Sequence, residues 1–270
     1  MKIVKHRLKG ASQKESPNRG GSLSADTIVI HYTAGPSAES AIRTMTDPAR
    51  KVSAHLVVDY NGSLTQLVPF DKIAWHAGKS SHLGRSGLNK YAIGIEIVNA
   101  GKLLKSGSNY VSWFGRKYPA EDVIYAIHRN ESSPAYWHAY TEKQISAVEE
   151  VCRLLVDTYE IEYILGHEEI SPSRKIDPGP AFPLDKMRNR ILNLNPRDEQ
   201  GAAEESELSR SGRVMAGKLN IRSGPDVTQD KVARPLKQNQ RVKILEKKNG
   251  WYRISTEIEG WVSADYIQET

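Results

Sequence analysis

Residues 91–98, Tyr-Ala-Ile-Gly-Ile-Glu-Ile-Val, are apolar at nearly every position. A strand with one solvated face alternates apolar and polar residues, whereas a continuous apolar run is typical of a strand covered on both faces. Thr27–Tyr32 has the same β-branched character and stops at Thr33-Ala-Gly-Pro36. Such strands, interleaved with helical segments, predict an α/β domain with a mixed central β-sheet flanked by helices.

Turn and capping signals predict the other elements of this domain. Asn61-Gly62 predicts a hairpin formed by residues 53–59 and 63–68, because this dipeptide readily adopts a turn with positive φ. Thr141-Glu-Lys-Gln144 is a capping box that begins a helix ending near Tyr159. We also predict an irregular lead-in over 9–24, helices over 37–45, 120–129 and 184–192, and a strand over 161–165.

The C-terminal part of the chain differs in composition. Residues 196–212 have few apolar groups and include Glu204-Glu-Ser-Glu207, which predicts a flexible linker. Beyond it, short β segments follow one another without a helical period, which predicts a small all-β barrel. The predicted domains are therefore 1–195 and 213–270, joined by the linker 196–212.

Net charge and apolar content exclude several classes of protein. The charge of +6 and the pI near 9.2 come from scattered residues, and without a basic stripe we expect no nucleic-acid binding. We find no membrane span, and no apolar core of a secretory signal follows the basic first residues. Cys152, in an apolar helical pattern, is expected to be a buried, inert thiol. The absence of a disulfide framework fits a protein that folds in a reducing cytoplasm. We also expect a monomer.

Residues 166–183 combine a histidine, a lysine and an aspartate with prolines and glycines that disfavour regular helix and strand. One interpretation is a surface loop with solvated charges; the other is a shaped loop in which His167 and Asp177 bind a metal and Lys175 lies over it. His31 would be a third ligand, although a strand-end histidine is more often a hydrogen-bonded core residue. Together the three residues match the N and O donors of a catalytic zinc with one open position.

Glu96 is the exception in the apolar strand 91–98. Burying a carboxylate there without a partner costs on the order of several kcal/mol. Beside a metal-bound water the same carboxylate has a role as general base. We therefore predict Glu96 as a catalytic residue, together with Lys175 as the group that stabilises a developing oxyanion.

Several motifs occur in an order that resembles a known family: His31-Tyr-Thr-Ala-Gly, Ser53-Ala-His, Ala74-Trp-His-Ala-Gly, Ile93-Gly-Ile-Glu, Gly166-His-Glu and Arg174-Lys-Ile-Asp-Pro-Gly-Pro. Over residues 16–192 the chain is similar to zinc-dependent N-acetylmuramoyl-L-alanine amidases, which are related to peptidoglycan recognition proteins and to phage lysozymes of the amidase type. The resemblance implies zinc bound by His31, His167 and Asp177, with Glu96 and Lys175 as catalytic residues. It also implies substrate-binding residues, which are His76, Asn89 and His55, the last with a packing role as the alternative.

The tail resembles the bacterial SH3-like domain in residues 219–225, 242–245, 250–254 and 260–267. In that family the domain often binds the cell wall. The implied partners are therefore peptidoglycan or muropeptides.

Together the two resemblances imply a peptidoglycan hydrolase that cleaves the amide bond between N-acetylmuramic acid and L-alanine of the stem peptide. The alternative is a non-catalytic peptidoglycan-binding protein on the same fold. Without a signal peptide, we expect synthesis in the cytoplasm and action on the wall after holin-type or other non-classical release, as for an endolysin. The alternative location is the cytoplasm, where the substrate would be soluble anhydro-muropeptides.

Overall fold

The structure, a computed structural model, describes residues 1–192, 210–248, 250–256 and 260–269. Its helices are α1 (Ala38–Thr46), α2 (Glu142–Thr158), α3 (His167–Ile170) and α4 (Leu184–Ile191), with 3₁₀ turns at Leu88–Lys90, Ala120–Asp122 and Ala264–Tyr266. Its strands are β1 (Lys2–Val4), β2 (Arg7–Lys9), β3 (Ser12–Gln13), β4 (Arg19–Ser22), β5 (Thr27–Tyr32), β6 (Leu56–Val58), β7 (Leu64–Gln66), β8 (Lys72–Ala74), β9 (Ser81–His82), β10 (Arg85–Ser86), β11 (Ala92–Ile97), β12 (Lys102–Ser106), β13 (Asn109–Val111), β14 (Lys117–Tyr118), β15 (Val123–Ile127), β16 (Pro134–His138), β17 (Tyr163–Gly166), β18 (Arg210–Val214), β19 (Lys218–Leu219), β20 (Leu236–Lys237), β21 (Arg241–Lys248), β22 (Trp251–Ser255), β23 (Gly260–Ser263) and β24 (Ile267–Glu269).

A six-stranded mixed sheet forms the centre of the larger domain, in the order β17-β5-β11-β6-β7-β3. The strands β17, β5 and β11 are parallel neighbours, and the apolar side chains of β5 and β11 are buried as their sequences predict. Parallel strands end at the same edge of a sheet, which is where α/β proteins bind ligands. The α/β prediction is confirmed. The residues that follow these parallel strands lie at one edge of the sheet.

The hairpin and the long helix are confirmed in detail. β6 and β7 pair antiparallel, and Gly62 in the turn has a φ of 81°, a conformation that glycine adopts without steric cost. Before α2, the Thr141 hydroxyl accepts the Gln144 N–H and the Gln144 side chain accepts the Thr141 N–H. α2 buries one face, including Cys152, and burial raises the pKa of that thiol, as expected for an inert cysteine.

The predicted helix over 120–129 is wrong. A 3₁₀ turn leads into β15, which pairs residue by residue with β16. The β-branched and aromatic side chains of the Val-Ile-Tyr run in β15 favour a strand. Pairing with β16 satisfies the backbone hydrogen bonds of β15, whereas a short helix with a weak apolar period would be marginally stable. β12 to β16 form a five-stranded antiparallel sheet, here called the arm (residues 102–138). The lead-in 9–24 is also more regular than predicted, because it contains β3 and β4.

The C-terminal part is strand-rich, as predicted, with a five-stranded antiparallel sheet in the order β23-β22-β21-β18-β24. β18 begins at Arg210, so the last residues of the predicted linker 196–212 are a paired strand. Residues 196–209 of that linker lie outside the described residues. Across the described ranges, no helix has the length and apolar character that crossing a membrane requires.

The C-terminal domain packs against helices of the larger domain. Arg222 forms an ion pair with Glu142 at the start of α2, with Nη2 and Oε2 2.6 Å apart and side chains only 7% and 10% exposed. Arg190 of α4 pairs with Asp265 at 2.6 Å, and the Lys186 ammonium donates to the Ile267 carbonyl at 2.8 Å. These buried polar contacts hold the two domains in a defined orientation.

We expect Arg222→Ala to lower the free energy of unfolding by about 3 kcal/mol or more, because it leaves a buried carboxylate without its cation. Chemical denaturation followed by tryptophan fluorescence measures the change. The matched control is Arg50→Ala, at an ion pair whose arginine side chain is 67% exposed, where the expected loss is below about 1 kcal/mol. Equal effects of the two substitutions would contradict a buried interdomain pair.

His55 joins the hairpin to the central sheet. Its Nδ1 accepts the Gly94 N–H at 2.9 Å, and its Nε2 donates to the Lys72 carbonyl at 2.9 Å. Burial lowers the pKa of His55 to about 4, so the ring is neutral in the folded protein at neutral pH. Burial also lowers the pKa of His138 to about 4.

These histidines make folding stability depend on pH. The unfolded ring binds a proton below about pH 6.5, whereas folded His55 stays neutral down to about pH 4. The stabilising contribution is therefore complete above pH 6.5 and is lost as the pH falls from 6.5 to 4. Denaturation of metal-free protein across this window should show the loss. His55→Gln, whose amide keeps a donor and an acceptor, should lose less stability than the wild type; an equal loss would refute the assignment.

Candidate metal centre

Three side chains converge at the carboxyl edge of the central sheet. His31 lies near the end of β5, directly after Ile30. Ile30 pairs with Gly166 of the neighbouring strand β17, so that His167, which follows Gly166, lies beside His31. Asp177 reaches them from the loop after α3. The two Nδ1 atoms are 2.9 Å apart, and each lies 3.0 Å from Asp177 Oδ2. Within the described chain these three residues form a group capable of holding a metal ion, and all three are buried.

Hydrogen bonds behind the two imidazoles fix which nitrogen faces the group. His167 Nε2 lies 3.1 Å from the Ala77 carbonyl and must donate to it, which leaves Nδ1 with a lone pair. His76 Nε2 likewise donates to the Ala92 carbonyl at 3.1 Å, so His76 Nδ1 accepts from His31 Nε2 at 2.9 Å. His31 Nδ1 therefore also carries a lone pair. Carbonyl or imidazole partners of this kind are typical behind metal-bound histidines.

The three facing atoms fit a zinc ion. Two imidazole lone pairs and a carboxylate are all acceptors, and acceptors this close need a cation among them. Zinc bonds to N and O of about 2.0–2.1 Å place tetrahedral ligand atoms roughly 3.4 Å apart. The observed separations of 2.9–3.0 Å are slightly shorter, so a small outward movement accommodates the ion.

The electrostatics of the group agree with this donor set. Burial lowers the pKa of His31 to about 4, and the nearby His167 acts in the same direction, which keeps the ring neutral. Burial alone would raise the pKa of Asp177, but the two imidazoles facing Oδ2 outweigh burial and hold that pKa far below its ordinary value. Neutral imidazoles and an ionised carboxylate are the forms that bind a metal.

Glu96 and Lys175 lie around this group. Glu96 is the register partner of His31 on β11, and its Oε2 is buried without a hydrogen-bond partner among the described residues. Burial raises the pKa of Glu96 well above its ordinary value, the negative charge of Asp177 adds to the shift, and the Lys175 ammonium opposes it. A carboxyl group whose pKa is raised in this way can act as a proton acceptor and donor.

Asn89 and His76 lie behind the candidate metal ligands. The Asn89 side-chain oxygen accepts the N–H groups of His76 at 3.0 Å and Ala77 at 2.7 Å. Asn89 therefore holds the segment whose imidazole contacts His31 and whose carbonyl contacts His167. This geometry favours positioning roles over the predicted contacts with substrate.

Both ring nitrogens of His55 are hydrogen-bonded to backbone groups, which favours its alternative packing role.

Gly94 leaves room for the His76 ring, because a Cβ at position 94 would lie 2.4 Å from that ring. Position 94 in Ile93-Gly-Ile-Glu therefore requires a glycine, since any side chain there would collide with His76.

The structure also brings in residues that the sequence reasoning missed. Glu168 is 3% exposed and accepts from His128 Nε2 at 2.6 Å and from the Gly179 N–H at 3.0 Å, while Arg129 Nε lies 3.0 Å from its other oxygen. Its own N–H donates to the Asp177 carbonyl at 2.8 Å. The end of β15 is thereby bound to the metal-ligand loop. The only sequence signal was a glutamate beside a ligand, since the arm residues are remote in the chain.

One expectation for residues 166–183 needs correction. The segment begins with the one-turn helix α3, so its first residues are regular; a bond from the Gly166 N–H to Glu169 Oε2 at 2.7 Å caps the turn. Glu168 in this turn is buried in the network described above. Glu169 is bound by Arg188 at 2.9 Å.

Comparison with known proteins agrees with this geometry. Residues 21–180 match the family model described as N-acetylmuramoyl-L-alanine amidase, and residues 217–268 match the bacterial SH3 domain. The chain is 34% identical over 178 residues to N-acetylmuramoyl-L-alanine amidase AmiD of Escherichia coli (strain K12), covering 63% of this chain and 54% of the relative. It is 35% identical over 144 residues to 1,6-anhydro-N-acetylmuramyl-L-alanine amidase AmpD of the same organism, covering 53% and 58%.

The chain thus spans little more than half the length of these curated relatives. A crystal structure of a selenomethionine derivative of AmpD superimposes with a TM-score of 0.51 at 28% identity, covering 71% of this chain and 99% of the other. Since the family model matches residues 21–180 of 270, the chain belongs to the N-acetylmuramoyl-L-alanine amidase family and carries a bacterial SH3 domain on its C-terminal side.

Proposed function

We propose that this chain is a zinc hydrolase that cleaves the amide bond between N-acetylmuramic acid and L-alanine of the peptidoglycan stem peptide. The observation that carries the proposal is the set of three acceptor atoms, 2.9–3.0 Å apart, next to a buried carboxyl group without a partner. The family is zinc-dependent in general, and the names of AmiD and AmpD describe cleavage of this class of bond.

Each residue then has a chemical role. His31, His167 and Asp177 hold the ion, which when bound supplies an acidified water and polarises the scissile carbonyl. Glu96 accepts the proton of the attacking water and returns it to the leaving amine. Lys175 places a positive charge where the carbonyl oxygen becomes negative.

The alternative, a peptidoglycan-binding protein without catalysis, gives the buried Glu96 no role. A recognition site gains nothing from a carboxyl group whose oxygen is buried and unpaired, because that arrangement destabilises the fold. A general base accounts for it. The same observation therefore supports the enzyme over the binder.

The SH3-like domain supports an insoluble substrate. A domain of this kind, fixed beside the catalytic domain through Arg222 and Asp265, raises the local concentration of enzyme on a polymer and adds nothing on a soluble fragment. Peptidoglycan of the cell wall is therefore the proposed substrate. Soluble anhydro-muropeptides in the cytoplasm are the alternative, and the monomeric state stays a prediction.

We expect Glu96→Gln to lower the rate of muropeptide cleavage by about 10²- to 10⁴-fold, because the amide cannot accept the proton. Zinc content, measured by elemental analysis, should stay at the wild-type level, since the ligands are untouched. Thermal stability should be equal or higher, because a buried carboxyl group has been removed. Undiminished cleavage by this variant would refute the mechanism.

Removal of the metal by a chelator should abolish cleavage, and added zinc should restore it. Lys175→Met should retain zinc yet slow cleavage by about 10²- to 10³-fold, because an electrostatic partner of the oxyanion is lost. The same substitution at the exposed Lys79 serves as the control and should leave the rate unchanged. Full activity of the chelated protein, or equal effects at both lysines, would contradict these roles.

A further inference from the structure

Trp113 is the most exposed large apolar side chain in the described part of the protein, with 74% of its surface accessible. It lies in the turn between β13 and β14 of the arm. An exposed indole is suited to recognition, because tryptophan combines a large flat apolar surface with a polar edge.

The Trp113 ring is held in place. Its Nε1–H donates to the Ala34 carbonyl at 2.7 Å, and the neighbouring Arg116 donates to the Pro36 carbonyl at 3.2 Å. Phe114 packs edge-on against it, with ring centroids 5.6 Å apart. An exposed ring that is fixed before binding loses little conformational entropy when a ligand stacks on it.

This ring lies close to the proposed metal centre. Ala34 is three residues after His31, and three extended residues span at most about 11 Å. The loop between them leaves the carboxyl edge of the sheet, where Glu96 and His167 also lie. A ligand bound to the metal centre therefore has its neighbouring units within reach of Trp113.

Further aromatic rings lie near Trp113 in the arm. Phe114, Tyr110 and Tyr136 are half-buried members of one cluster, with the Tyr110 and Tyr136 ring centroids 4.8 Å apart. The Tyr125 ring is tilted against Tyr136, with centroids 4.7 Å apart. Tyr125 is 53% exposed. We call Trp113, Phe114, Tyr110, Tyr136 and Tyr125 the aromatic track.

We propose that the aromatic track binds the sugar rings of a glycan strand, with Trp113 stacking on a sugar next to the one whose amide bond is hydrolysed. The inference rests on the proposed function, which requires a muramic acid residue at the metal. Pyranose rings present apolar C–H faces to aromatic side chains and hydroxyl groups to the phenol edges of tyrosine. The rings themselves carry no charge, which suits the apolar faces of sugars, and the Lys105 ammonium, 6.0 Å from the Tyr136 centroid, can donate to a sugar hydroxyl.

The test uses the full-length, zinc-loaded protein and a hexamer of β-1,4-linked N-acetylglucosamine, which has no peptide to cleave. Binding is measured by calorimetry for the wild type, Trp113→Ala and Trp113→Phe. We expect Trp113→Ala to weaken binding about three- to tenfold and Trp113→Phe to weaken it less, since the ring is kept. The matched control, Leu104→Ala, removes a side chain of the arm that is 73% exposed and should bind as the wild type does.

The outcomes separate this inference from the proposed function. Binding that depends on Trp113 supports the track, even if the protein cleaves no muropeptide and the proposed function fails. Absent binding, or equal binding by the wild type and Trp113→Ala, overturns the track, even if muropeptide cleavage is normal. Equal losses in Trp113→Ala and Leu104→Ala also overturn it, because they indicate a general disturbance of the arm. Thermal unfolding confirms that each variant is folded.

Discussion

Repulsion between acceptor atoms is the constraint on which the site depends. Two imidazole lone pairs and a carboxylate oxygen face one another at 2.9–3.0 Å in a buried position, an arrangement that is stable only around a cation. The parallel pairing of β17 with β5 produces it, because His167 follows the strand beside the one that carries His31. Glu96 enters the same space from β11, so the sheet register also sets the place of the proton acceptor.

The loop that completes the site depends on the arm. Lys175 and Asp177 lie in a segment that begins with one helical turn, and Glu168 in that turn binds His128, Arg129 and the Gly179 N–H. Glu168 also donates its own N–H to the Asp177 carbonyl. Disturbing the end of β15 would therefore move Asp177, a candidate metal ligand. The arm thus stabilises the candidate metal centre on one side and carries the aromatic track on the other.

Much of this arrangement could be predicted from local sequence signals. Local sequence patterns specify the apolar strands, the turn at Asn61-Gly62 and the capping box at Thr141, because each depends on residues close together in the chain. The structure contains all three. The three candidate ligand residues could be chosen because their types match zinc and they lie at strand ends or in a shaped loop. The arm could not be predicted in the same way, because residues 120–129 become a strand only when β16 pairs with them. The contact between Glu168 and His128 could not be predicted for the same reason, since the two residues are 40 positions apart in the chain.

Two main-chain carbonyls, those of Ala77 and Ala92, decide which nitrogen of each candidate ligand imidazole keeps its lone pair. Every residue has a backbone carbonyl, so this choice of nitrogen depends on the path of the backbone and not on the side chains at positions 77 and 92. Other side chains at these two positions would leave the proton arrangement intact wherever they could be packed. A methyl group at Gly94 would collide with the His76 ring and would thereby disturb His31, to which His76 is hydrogen-bonded.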